Sequence, residues 1–103
     1  MELKDLIGKA LSLREKYQIL EQAKYGRSWT NEEIMLGFVK DVGDLSSLVQ
    51  SKEGVRDIED VDNKLGHELA DCLWSIIIIA NKYSVDLESA FLKTISDLET
   101  KLI

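Results

Sequence analysis

A chain of 103 residues is sized for one domain, residues 1–103, and for a small one whose own core covers only part of its apolar surface. Its 13 basic and 19 acidic residues leave a net charge of −6, which argues against a simple basic footprint for DNA, RNA or an anionic membrane. A nucleotide is not excluded, because bound metal ions bring phosphate to an acidic site.

With no proline and six glycines, long helices run uninterrupted and the turns fall to Gly, Asn, Asp or Ser. The first helix is predicted from about Leu3 to Lys24, with Leu3, Leu6, Ile7, Ala10, Leu13, Tyr17 and Leu20 at helical spacing. Its opening, MELKDLIGKAL, carries acids early and has no apolar h-region, so it does not read as a signal peptide. Tyr25-Gly26-Arg27-Ser28-Trp29 breaks the pattern. Thr30 is then the expected N-cap, with Glu33 completing a capping box. The second helix follows from roughly Asn31 to Ser51, its apolar positions Ile34, Phe38, Val42, Leu45, Leu48 and Val49.

Lys52 to Asp60 is polar, contains Gly54 and reads as a mobile loop, with Asp60 or Asp62 capping the third helix, about Val61 to Tyr83. Ile76-Ile77-Ile78-Ile79 makes that helix apolar all round, so more than one of its sides has to be covered. Leu65, Leu69, Leu73 and Tyr83 argue for helix over strand there, and the apolar run is far too short to span a bilayer. Ser84 or Asp86 caps a fourth helix, about Leu87 to Leu102, with Ala90, Phe91, Ile95, Leu98 and Leu102 expected inward. The fold class is all-α, built of long antiparallel helices. The girth of the third helix predicts association into a dimer or tetramer. A single cysteine, Cys72, makes no intramolecular disulfide and fits a reducing, cytoplasmic setting as a small core residue.

The chemistry sits in carboxylates. Asp41 and Asp44 on the second helix, and Glu68 and Asp71 on the third, are each spaced i, i+3 and so share a helix face. Helical geometry sets Asp41 and Asp44 beside Ile34, Leu45 and Leu48, and Glu68 and Asp71 beside Cys72, Ser75 and Ile79, on or next to faces that should be buried. None of the residues four positions further on is basic; Lys40 and Lys64 precede Asp44 and Glu68 by four, the weaker orientation for a helical pair. Half-buried carboxylates repel one another and lose hydration, so they call for a cation. All-oxygen ligands suit a hard ion, Mg²⁺ or else Mn²⁺, and the missing i+3 histidine argues against a di-iron site. Spacing by itself is equally compatible with acids solvated at the edge of the stripe.

These residues resemble the MazG-type nucleoside triphosphate pyrophosphohydrolases, of the all-α NTP pyrophosphatase superfamily. The family pattern E-E-x-x-E followed by E-x-x-D is met here by Lys40-Asp41-Val42-Gly43-Asp44-Leu45 and by Glu68-Leu69-Ala70-Asp71-Cys72-Leu73-Trp74. Asp86-Leu87-Glu88-Ser89-Ala90-Phe91 is similar to the start of the family's last helix, and the likeness runs from about Trp29 to Leu102. It implies a four-to-five-helix antiparallel bundle that assembles as a homodimer or homotetramer. It also implies Mg²⁺-dependent hydrolysis of (d)NTP to (d)NMP and pyrophosphate in nucleotide-pool house-cleaning, with no nucleic acid or membrane partner. Asp41, Asp44, Glu68 and Asp71 would be the catalytic and metal residues, and Trp29, Lys93 and Lys101 would contact the nucleotide. Lys40 stands where the family often has its first Glu, Asp41 and Asp44 are each one methylene shorter than Glu, and Leu98 replaces a polar contact. Those departures define the alternative, a catalytically degenerate relative that binds a nucleotide or a partner without turnover.

The remaining candidates have simpler roles. Trp29 also suits a hydrophobic staple onto the second helix. Trp74 is expected in the core or at a subunit interface. Arg27 and Lys24 are expected to be solvated, and His67 to fall off the acidic face.

Overall fold

The computed structural model describes residues 2–103, and among them there is helix but no strand. The elements are α1 (Leu3–Tyr25), α2 (Asn31–Lys52), α3 (Val61–Lys82) and α4 (Leu87–Thr100). Each agrees with its predicted span to within about a turn. Among the described residues, no helix is long and apolar enough to cross a membrane. The chain divides into two units, Trp29–Ile76 and Met1–Ser28 with Ile77–Ile103.

The Trp29–Ile76 unit holds α2 and most of α3. The predicted capping box starts α2: Glu33 N–H donates to Thr30 Oγ1 at 3.1 Å and Thr30 N–H to Glu33 Oε1 at 3.0 Å. A cap of this kind is worth about 1 kcal/mol. Beyond Lys52 the chain reverses through Gly54, at φ 79°, where a side chain would be strained. Asp60 sits at φ 54° immediately before α3, accepts Asn63 Nδ2 at 2.9 Å through its side chain, and accepts Lys64 N–H at 3.1 Å through its carbonyl. Aspartate is among the few side chains that tolerate this backbone. Lys52 meets Asp62 at 2.7 Å, while Asp44, earlier on α2, approaches Glu68, later on α3. The order of contacts is reversed along the two helices, so α2 and the start of α3 form an antiparallel hairpin. Ile34 and Leu48 of α2 and Cys72 and Ser75 of α3 are buried.

The other unit holds α1, the end of α3 and α4. Gly26, at φ 74°, ends α1 with its N–H on Gln22 O at 3.0 Å. On α1, Arg14 grips Glu21 with both guanidinium nitrogens, at 2.7 and 3.1 Å. Asp86 caps α4 by accepting Ser89 N–H at 3.1 Å. Ile77 and Ile78 are buried, Ile79 is half-buried and Ile76 is exposed, so the isoleucine run is covered on most of its girth.

The apolar stripes are not all covered. Phe91, Ile95, Leu98 and Leu102, expected inward on α4, are exposed; so are Val42 and Val49 on α2 and Leu69 and Leu73 on α3. Periodicity locates a stripe without saying whether the same chain supplies its cover.

Candidate metal centre

The hairpin of the Trp29–Ile76 unit brings Asp41, Asp44 and Glu68 together, each half-buried, with one carboxylate oxygen from each within 4.8 Å of the others. On a Mg²⁺ ion, ligands 2.0–2.1 Å from the metal and opposite one another stand about 4 Å apart, so little closure separates this span from a coordination shell.

Glu68 is the residue that calls for a cation. Its Oε2 is buried and has no hydrogen-bond partner. Burial pushes the Glu68 carboxyl above its ordinary range, and the negative charges of Asp41, Asp71 and Asp44 add to the effect. A buried carboxylate oxygen without a donor costs free energy that a hard ion would recover. The donor set therefore fits a divalent cation with oxygen ligands.

One ammonium of the protein touches this group, and an imidazole touches the neighbouring Asp71. Lys40 Nζ lies 2.9 Å from Asp44 Oδ2, and this bond, followed by the charge of Asp44, raises the Lys40 pKa. His67 Nε2 lies 3.1 Å from Asp71 Oδ2. The latter corrects the expectation that His67 falls off the acidic face: it precedes Asp71 by one turn, within reach of an imidazole. The i, i+4 spacing was the signal that would have found it. Asp71, the expected fourth acid, is outside the three-oxygen group but close enough for its charge to act on Glu68.

Cys72 is buried next to the acids, and its thiol pKa is pushed up by burial first and then by Asp41, Glu68 and Asp71. Gly43, between the two α2 acids, has open space where a Cβ would stand. Trp29 precedes the cap of α2 with its ring against Gly37, where an added Cβ would meet Trp29 Cζ3 at 3.8 Å. It is also half-exposed, so it staples onto α2 while leaving ring surface open. Gly37, Asp41 and Asp44 share one face of α2. Lys93 and Lys101 stand on or next to α4 in the other unit; Lys93 Nζ is bonded to Asp97 at 2.8 Å and Lys101 is the C-cap.

Beside the acids lies an open cavity of about 420 Å³, whose wall includes Asp44 and Glu68 themselves together with Leu48, Ile58, Asn63 and Lys64. Comparison with known proteins gives no match to a family model, a curated protein or a solved structure.

Proposed function

We propose that this chain is a Mg²⁺-dependent nucleoside triphosphate pyrophosphohydrolase of the MazG-like kind, converting (d)NTP to (d)NMP and pyrophosphate. The observation that carries the reading is the meeting of Asp41, Asp44 and Glu68 from two helices around a buried carboxylate oxygen that has no donor. Asp41, Asp44 and Glu68 would hold the cation, with Asp71 completing the set. Bound there, the ion would polarise phosphoryl oxygens and lower the pKa of a water. The protein's own part is to fix the acids on rigid helices, to seat the triphosphate in line for attack at the α–β anhydride, and to hold the attacking water through a carboxylate. The role is house-cleaning of the nucleotide pool in the cytoplasm.

The exposed stripes on α4 and α3 support assembly as a homodimer or homotetramer, since apolar patches left open on a small chain mark association surfaces. The decisive experiment is pyrophosphate release from a panel of canonical and modified (d)NTPs with Mg²⁺ and with Mn²⁺. Release that disappears in Glu68→Gln supports the enzyme; no release from any member of the panel overturns it.

One contact favours a second reading. Lys40 on Asp44 places an ammonium where a second divalent ion would otherwise be balanced. A site reduced in this way would bind a nucleotide yet stabilise the transition state poorly. Metal-dependent nucleotide affinity without pyrophosphate release is its signature.

A further inference from the structure

The acid cluster accounts for how a polyphosphate is held but not for what the rest of the ligand touches. The cavity beside it supplies that surface, and all its residues belong to the Trp29–Ile76 unit. Its volume of about 420 Å³ falls in the range of small-molecule sites, roughly 300–1,000 Å³. Leu48, buried on α2, and Ile58, half-buried in the segment between α2 and α3, give it apolar walls. Its polar members, besides Asp44 and Glu68, are Ser47, Asn63, Lys64 and His67. Asn63 uses one amide hydrogen on Asp60, leaving its carbonyl oxygen to accept from a ligand. Lys64 has no acidic partner among the described residues, although the chain is strongly acidic. Because Asp44 and Glu68 belong both to the wall and to the acid cluster, a molecule held by its phosphates at the acids has its next atoms at the cavity mouth.

We infer that this cavity seats the nucleoside part of the substrate, with the base between Leu48 and Ile58, its edge at Asn63, and Lys64 beside the phosphates. The inference rests on the proposed pyrophosphohydrolase reading and adds the place where the base is recognised. It moves that place away from Trp29. The tryptophan ring lies against Gly37, a turn before Asp41, whereas the cavity is lined by Leu48, a turn after Asp44. A slot with Leu48 and Ile58 as apolar walls, and with Asn63, Ser47 and His67 as polar side chains in its lining, selects for a base that fills it and bonds at its edges. Inorganic tripolyphosphate would use the acids and Lys64 alone.

The test is calorimetric binding, in Mn²⁺, of the four α,β-methylene deoxynucleoside triphosphates, which resist cleavage between the α and β phosphates, and of inorganic tripolyphosphate. At least one nucleotide should bind about tenfold or more tighter than tripolyphosphate, the usual scale for a fitted apolar pocket. Ile58→Trp, which fills the cavity, should abolish that advantage while leaving tripolyphosphate affinity unchanged. Ser47→Leu narrows the same space from α2 and serves if the first variant does not fold. Equal affinity for nucleotide and tripolyphosphate in the wild type overturns the inference. So does an advantage that survives both cavity variants, or one removed by Trp29→Ala instead; these results leave the metal and phosphate reading intact. Failure of the wild type to bind either ligand in Mn²⁺ overturns the function and, with it, the assignment of the cavity.

Discussion

Lys40 Nζ stands 2.9 Å from Asp44 Oδ2, one turn earlier on α2, so an ammonium of the protein competes with any cation for an acid of the cluster. The pair is exposed and therefore screened by salt. Lys40→Ala is expected to tighten Mn²⁺ binding several-fold at low ionic strength, with the gain shrinking as salt is added. Calorimetric titration checks this, and weaker binding by the variant would show that Lys40 supports the site. Lys40→Glu separates the two functional readings: activity appearing only in the variant identifies a degenerate relative, and turnover by the wild type identifies an enzyme.

Metal should stabilise the fold by mass action. At about a hundred times its Kd, an ion that binds only the folded state contributes about 2.7 kcal/mol. For a domain of this size that is a rise in Tm of roughly ten degrees. Mg²⁺ or Mn²⁺ should raise the Tm of the wild type, and Glu68→Gln or Asp71→Asn should lose most of the rise. Identical shifts in wild type and variants would remove the site from these residues.

Without metal, Glu68 works against stability at neutral pH. Its folded pKa lies above its unfolded value, so the folded state binds the proton more tightly. The resulting stabilisation is complete below the ordinary carboxylate range, near 4.5, and is lost as pH rises through the folded pKa. Glu68→Gln should therefore be more stable than the wild type in chelator at pH 7, with the difference narrowing in acid. Urea midpoints at the two pH values read it directly, and a less stable variant at pH 7 contradicts it.

Gly43 lies inside α2 with open space at its Cβ position. Gly43→Ala should stabilise the metal-free protein by about 0.5–1 kcal/mol, the ordinary helix penalty of glycine. Gly37→Ala should gain slightly less, because its methyl would touch Trp29 at an ordinary contact distance. A destabilised Gly43→Ala would show that backbone closeness is needed there for something the chain alone does not contain.

Phe91 and Leu98 on α4 are 56% and 55% exposed, with Ile95 between them. If that stripe is an association surface, Ile95→Asp should lower the mass found by light scattering at micromolar concentration while helix content is kept. A monomeric wild type would leave the stripe uncovered and refute assembly.

The sequence was most informative where the physics is local. The Thr30–Glu33 box, a cap for α4 at Ser84 or Asp86 and the four helix spans depend on neighbours a few residues away, and all were legible. So was the half-burial of the acids, because their angular position beside Ile34, Leu48 and Cys72 follows from helix geometry. What was not legible depends on side-chain reach and on cover. The placing of His67 off the acidic face overlooked an i, i+4 contact with Asp71, whereas the Lys40–Asp44 pair follows from the same one-turn spacing and was legible. The α4 stripe had the right period, yet among the described residues Phe91 and Leu98 remain exposed. The cavity beside Asp44 and Glu68 depends on where Ile58 settles after the turn at Gly54, and no periodic pattern reports that.

Cys72 gives the molecule a built-in clock. It is the single thiol of the chain, buried among the carboxylates and held protonated by burial and by their charge, so a soluble alkylating reagent finds little thiolate to attack. Reaction is favoured in states in which the thiol is exposed, and the labelling rate follows how often they are populated. Anything that bridges the two helices would slow labelling by lowering that population, whether or not a chemical reaction follows. Occupancy can therefore be timed by mass spectrometry on the unaltered protein, before its substrate is identified.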